Sequence, residues 1–167
     1  GILSPAFSSI EEYLGSRGNT EAYYGVLGQV GQGSWHPENH AGPWVHFCLV
    51  AHLQQATTVA RRVKETEKLW NELEVELARR KLPERMISAL YEAAIGLRVR
   101  SARYRVAADI SSQVAARDLR TLVEQGLLTA KGEKKGRSYL GSAPLLALRQ
   151  KTREPRVPLA ELYKDQL

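Results

Sequence analysis

The stretch SARYRVAADISSQVAARDLRTLVEQGLLTAKGEKKGRSYL, residues 101–140, decides the fold. Ser101 can cap a short helix that carries Tyr104, Ala107 and Ala108. Asp109 follows as a turn residue that tolerates left-handed backbone better than most. Ile110 supplies an apolar plug, and Ser111 or Ser112 caps a second helix. Along that second helix, Gln113 to Gln125, the residues Ala115, Leu119 and Leu122 recur at i, i+4 and i+7, so they share one stripe that must face a core. At about 100° per residue the opposite face presents Gln113, Arg117, Arg120 and Thr121, with Glu124 a turn later. Gly126 suits the first residue past the helix end. Leu127-Leu128 and Ser138-Tyr139-Leu140 then read as two short strands joined by a glycine-bearing loop. Residues 131–137 hold four cations (Lys131, Lys134, Lys135, Arg137) and one acid, Glu133.

Helix, turn, helix and basic hairpin, in that order, make a winged helix-turn-helix. A basic loop alone is usually a solvated surface, and so is an amphipathic helix with two arginines; the ordered combination carries the reading. Gln can pair with adenine through both amide groups and Arg with guanine in the same bidentate way, while Arg and Thr also hold phosphates. A recognition helix puts such residues into a major groove, and a cationic hairpin tip suits phosphates or the minor groove. The expected DNA-binding residues are therefore Ser112, Gln113, Arg117, Arg120, Thr121, Lys131, Lys134, Lys135 and Arg137.

Working outward, Leu82-Pro83 marks a helix start: proline suits a first helical position, and Met86, Ile87, Leu90, Ala94 and Leu97 follow at helical spacing. Before it, Pro43 opens a long helix whose apolar positions Val45, Leu49, Leu53, Ala56, Val59 or Ala60, Val63, Trp70, Leu73 and Leu77 step mostly by three or four. The polar run Lys64–Lys68 interrupts this stripe, so the helix is expected to become a connector there. Ser8 to Val30 reads as helix broken near Gly15–Gly18, with Ser9 as a cap and Tyr23, Tyr24 and Leu27 on one side of the second piece. Residues 29–43 form a turn-rich connection. The predicted fold class is mainly α: a helical bundle segment followed by a winged helix-turn-helix with a small two-stranded antiparallel wing. The expected domains are 1–81, including the long helix at about 43–81; the winged helix at 82–150; and a tail at 151–167.

Composition agrees with a folded chain. Of its 167 residues 43% are hydrophobic, which excludes general disorder. No run has the apolar length of a membrane span and no secretory leader opens the chain, so no membrane partner is expected. A single cysteine, Cys48, excludes an internal disulfide framework and suits a reducing, cytoplasmic compartment. Residues 1–81 hold 8 Lys/Arg against 9 Asp/Glu, whereas residues 82–167 hold 16 against 9. A basic excess confined to one half is an electrostatic footprint for a polyanion, with duplex DNA as the leading partner.

The run Tyr104…Ile110-Ser111…Ala115-Ala116-Arg117-Asp118-Leu119…Leu122-Val123-Glu124-Gln125-Gly126-Leu127-Leu128…Gly136-Arg137-Ser138-Tyr139 resembles the C-terminal winged helix of Fic (filamentation induced by cAMP) proteins. Upstream, Glu21-Ala22-Tyr23-Tyr24…Leu27, Trp35-His36-Pro37 and Pro43-Trp44-Val45…Phe47 look like the last helices of the Fic domain. The resemblance implies a C-terminal part of an AMP-transferase-like protein. The family's His-Pro-Phe-x-Asp/Glu-Gly-Asn-Gly-Arg loop is absent from these residues: His36-Pro37 continues as Glu38-Asn39-His40-Ala41. Val114 stands where the pattern usually has Thr, which removes a hydroxyl able to bind phosphate, and Asp109 replaces the common turn glycine.

Chemistry of other kinds is set aside on geometry. His36, His40, His46, Cys48 and His52 invite a metal reading, but His46 and His52 lie about 240° apart on a helix and do not converge. Cys48 has no basic partner in sequence and reads as a small hydrophobe. Glu65, Glu67, Glu72, Glu74 and Glu76 read as a solvated helix face. No catalysis and no cofactor are expected of this chain. The alternative to DNA binding is a protein-interaction or homodimerisation module that uses the winged helix and the long helix.

Overall fold

The computed structural model of the chain describes residues 9–156, apart from Arg17, Trp35, Lys134 and Lys135. The fold is mainly helical, with one two-stranded antiparallel sheet among the described residues. These residues fall into two compact units that divide after Val63 and after Glu154. No described helix is long and apolar enough to cross a membrane.

The first unit contains α1 (Glu11–Leu14), α2 (Asn19–Gly31) and the N-terminal part of α3 (Gly42–Arg79). Gly18, at φ 86°, makes the break between α1 and α2, as the glycine pair in the sequence predicts. Ser9 Oγ accepts the Glu11 amide proton at 3.2 Å. The rings of Tyr13, Tyr23, Trp44 and Phe47 form one cluster, with Trp44 and Phe47 stacked at 6.1 Å and Tyr23 edge-on to Trp44 at 5.6 Å. This cluster sets the rotation of α3 here. Its buried residues are Phe47, Ala51 and Gln55, spaced i, i+4, i+8. Val45 and Leu49, on the predicted apolar stripe, are 52% and 65% exposed. Over this part of the helix the periodicity is read correctly from sequence and the phase is not, because two apolar stripes coexist and the aromatic one is the one covered; Leu73 and Leu77 of the predicted stripe are buried further on. Across the covered face Gln55 Nε2 donates to Glu12 at 3.4 Å, and Arg62 clamps the same carboxylate.

The second unit begins within α3. Leu69, Leu73 and Leu77 are essentially sealed from solvent, so residues 64–79 are a core element here and not a bare connector. Trp70, on the predicted apolar stripe of this helix, lies at the rim, 37% exposed, tilted against Tyr91 at 5.8 Å. Glu65 is buried rather than solvated: it accepts from Arg149 Nη2 at 3.1 Å and from the Glu154 amide at 3.0 Å. Pro83 precedes a 3-10 turn (Glu84–Met86) that runs into α4 (Ile87–Ala94). Then come α5 (Ser101–Ala107), α6 (Ser112–Glu124), β1 (Leu128–Lys131), β2 (Ser138–Gly141) and α7 (Ala143–Lys151). The sequence reading placed no element at α7, although Ser142 and Pro144 mark its start. Residues 152–156 carry no regular structure, and the rest of the predicted tail, 157–167, lies outside the described residues.

The core of this unit joins Leu69, Leu73 and Leu77 to Leu90, Val99, Leu119, Leu122, Leu127 and Leu145. Embedded in it is a carboxylate. Asp118 has 1% of its side chain exposed and accepts from Arg85 Nε at 2.7 Å and Nη2 at 2.9 Å, and from the Tyr104 hydroxyl at 3.0 Å. Burial and the neighbouring carboxylate push the Tyr104 hydroxyl above its ordinary pKa, so it stays a donor. At the far end of α3, Glu76 receives Arg79 through Nε at 2.9 Å and Nη2 at 2.8 Å, and Arg80 Nε at 2.6 Å.

Two outcomes follow from these ionic contacts. Arg85→Ala leaves a buried carboxylate short of its counter-charge and should cost about 3 kcal/mol, whereas Arg85→Met combined with Asp118→Leu should come within about 1–2 kcal/mol of the parent. A single-variant cost below about 1 kcal/mol in urea unfolding would remove Asp118 from its structural role. The second outcome concerns pH. Guanidinium hydrogen bonds pull the Glu76 carboxyl down to about 2 from an ordinary 4.5. A depressed folded pKa contributes stability that is complete above about pH 4.5 and is lost as pH falls toward about 2. Glu76→Gln should flatten the unfolding midpoint over that window, and an unchanged slope would contradict it.

Candidate nucleic-acid interface

The α5–α6 segment is built as its sequence suggests except at its start, where Ser101 is the first helical residue and Arg100 stands at the N-cap with no side-chain cap bond. Asp109 takes φ 49°, and the half-buried Ile110 packs on the core between the two helices. Ser111 is the N-cap, its Oγ accepting the Val114 amide at 3.3 Å. Gly126, at φ 70°, lets the chain leave α6, while the Leu127 amide returns to the Leu122 carbonyl at 3.0 Å. Two further donors satisfy the last carbonyls of this end. Arg80 Nη1 reaches the Gln125 carbonyl oxygen at 2.6 Å, and Ser142 Oγ reaches the Gly126 carbonyl oxygen at 2.6 Å.

Ala115, Asp118, Leu119 and Leu122 are the buried residues of α6. Gln113, Arg117, Arg120 and Glu124 are exposed and lie within about 60° of one another around the axis. Thr121 is half-buried at the flank of this face. Ser112 opens α6 and is exposed, with its Oγ 3.3 Å from Arg105 Nη1. Arg105, on α5, is thus brought beside the start of α6, which the sequence reading did not anticipate. Among the described residues Arg117 and Arg120 have no acidic partner. Other basic groups of the unit are committed: Arg85 to Asp118, Arg103 to Glu92, and Arg149 to Glu65.

β1 and β2 pair antiparallel with Lys131 opposite Ser138, so residues 132–137 form the hairpin loop. Lys131 and Arg137 are exposed at its base; Lys134 and Lys135, predicted at its tip, lie outside the described residues. Gly132 has φ 75°, and a Cβ there would stand 3.0 Å from the Gly136 carbonyl oxygen. A third strand position completes the sheet on the other side: Val99 exchanges both backbone hydrogen bonds with Tyr139 at 2.9 Å. Gly141 ends β2 close against α4, where a Cβ would come within 2.9 Å of the Ala93 carbonyl oxygen.

Reading the sequence missed the groups that hold α6 in place. Asp118 falls about 60° from Ala115 on the helix wheel, at the edge of the core stripe beside Leu122, and that was the available signal; its partner Arg85 has none at a distance of 33 residues. Among the described residues no group of three metal-ligating side chains converges. His36 lies between Ser34 Oγ at 2.8 Å and Glu38 Oε1 at 2.9 Å, and His52 Nδ1 approaches the Cys48 carbonyl at 2.7 Å. Compared with protein families, with curated proteins and with solved structures, the chain gives no match.

The outer face of α6 depends on how the helix starts. Ser111→Ala should cost about 1 kcal/mol and Ser111→Asp should retain stability, since either oxygen can hold the exposed amide. Equal destabilisation by the two in chemical unfolding would show that the cap bond does not contribute.

Proposed function

We propose that residues 82–150 are a winged helix-turn-helix that binds duplex DNA, with α6 as the recognition helix and the β1–β2 loop as the wing. The observation that carries the reading is the sorting of cations. Arg117 and Arg120 stand exposed beside Gln113 on one face of α6, without an acidic partner among the described residues, while Arg85, Arg103 and Arg149 are consumed in ion pairs. Gln113 and Arg117, one turn apart, have the chemistry to read adenine and guanine edges in a major groove. Arg120, Ser112, Thr121, Lys131 and Arg137 serve phosphates, a role the sequence also assigns to Lys134 and Lys135. The bridge from Val99 to β2, beside the β1–β2 hairpin, supports the winged reading over a bare helix pair.

The module is, on the sequence resemblance, the C-terminal regulatory part of a Fic-type protein acting in the cytoplasm, with no catalysis of its own. A second reading, docking of a protein partner or a second copy, is favoured by Val45, Leu49 and Val63, which α3 leaves at least half exposed.

The test is a polarisation assay with duplex DNA across a salt series. The parent should bind with an affinity that falls steeply with salt. Arg117→Ala with Arg120→Ala should weaken binding about tenfold or more, because one good bidentate contact is worth about 1–3 kcal/mol. Absence of salt-dependent binding would sink the DNA reading and leave the protein-docking one.

A further inference from the structure

Two arginines that the recognition helix does not use sit on the sheet. Val99 is fully buried and pairs with Tyr139, which is also buried and lies opposite Ala130. Side chains alternate faces along a strand. With Val99, Tyr139 and Ala130 facing the core, their neighbours face outward. The row on the side away from the core therefore runs Lys131, Ser138, Arg100, with the small Ser138 itself buried between two exposed cations, and the next runs Thr129, Leu140, Arg98. Arg100 has extended backbone, at φ −116° and ψ 139°, as this alternation requires. Arg98, Arg100 and Lys131 are all exposed, and among the described residues none has an acidic partner.

From this geometry we infer that the outer face of the sheet is a second phosphate-binding strip, with Arg98 and Arg100 contacting the backbone of the same nucleic acid that α6 and the hairpin loop engage. The inference rests on the duplex reading above. Its physical basis is threefold. Neighbouring strands lie about 4.8 Å apart, so Lys131 and Arg100 stand about 10 Å apart on one surface, and their fields add. Residues 97–153 hold 13 Lys/Arg against 4 Asp/Glu; with Asp118 neutralised by Arg85, and Arg103 and Arg149 paired to Glu92 and Glu65, 11 cations face 3 acids. Guanidinium groups offer paired donors to phosphate oxygens, whereas the apolar content of this face is limited to the half-buried Leu140. A protein partner would require an apolar centre that the strip lacks.

The strip makes a prediction separate from that for α6, because a phosphate interaction carries charge and no sequence information. Removing one such interaction should reduce the slope of log affinity against log salt by about 0.9. Arg98→Ala with Arg100→Ala, read by polarisation with a duplex of random sequence, should flatten the slope by about 1–2, and Arg98→Lys with Arg100→Lys should largely restore it. Lys151→Ala with Arg153→Ala, exposed cations at the end of α7, should leave the slope unchanged. Near-ultraviolet circular dichroism matching the parent keeps folding out of the comparison. If the parent binds and the Arg98/Arg100 slope is unchanged, the strip is overturned while the α6 reading stands. An equal flattening from Lys151/Arg153 overturns it too, since the basicity is then diffuse. A parent that binds no duplex overturns both readings.

Discussion

The Asp118 carboxylate is withdrawn from water in the middle of a helix whose neighbours on that side are Ala115, Leu119 and Leu122. Burying an isolated carboxylate costs several kcal/mol, so its presence there demands compensation from fixed donors. Arg85 supplies two and Tyr104 a third, from the 3-10 turn before α4 and from α5. One side chain thus ties three elements together by directional bonds, where aliphatic packing alone would tolerate sliding and rotation. Since Asp118 can point only toward Arg85 and Tyr104, the rotation of α6 about its axis is set. The residues on its far side, Gln113, Arg117 and Arg120, are held outward as a consequence. The identity of the outer face depends on an interaction inside.

The remaining supports of α6 act at its ends. Ser111 satisfies a free amide at the start, and Arg80 and Ser142 satisfy free carbonyls at the finish. Arg80 follows the last turn of α3 and Ser142 precedes α7, so the second unit closes around α6 from both sequence directions. The first unit is held differently. Among the described residues its buried set is Phe47, Ala51 and Gln55 against a ring cluster, and α2 buries no residue completely.

Much of the second unit was legible because local chemistry and long-range packing agree there. The stripe of Ala115, Leu119 and Leu122, the left-handed Asp109, the Ser111 cap and the Gly126 exit each have a cause within a few residues of the chain. Val99 could not be read as a strand, because a single bridged residue leaves no alternating run. Arg85 could not be matched to Asp118, because a buried ion pair across 33 residues has no period. The phase of α3 was misread where two apolar stripes compete: Val45 and Leu49 have the better hydropathy, but Trp44 and Phe47 have rings that stack on each other and meet Tyr13 and Tyr23 edge-on. Glu65 looked solvated because its partners, Arg149 and the Glu154 amide, lie more than 80 residues away. Of the candidate site, the cations of α6 were readable as an outward face, and the contact of Arg105 with Ser112 was not.

The proposal that this outward face meets a duplex is tested most directly by amide chemical-shift mapping of the whole chain titrated with duplex DNA. The expected perturbations concentrate at Ser112, Gln113, Arg117 and Arg120 and along Lys131–Arg137, and leave Val45 and Leu49 on α3 unmoved. Perturbations confined to α3, or none at saturating duplex, would contradict it.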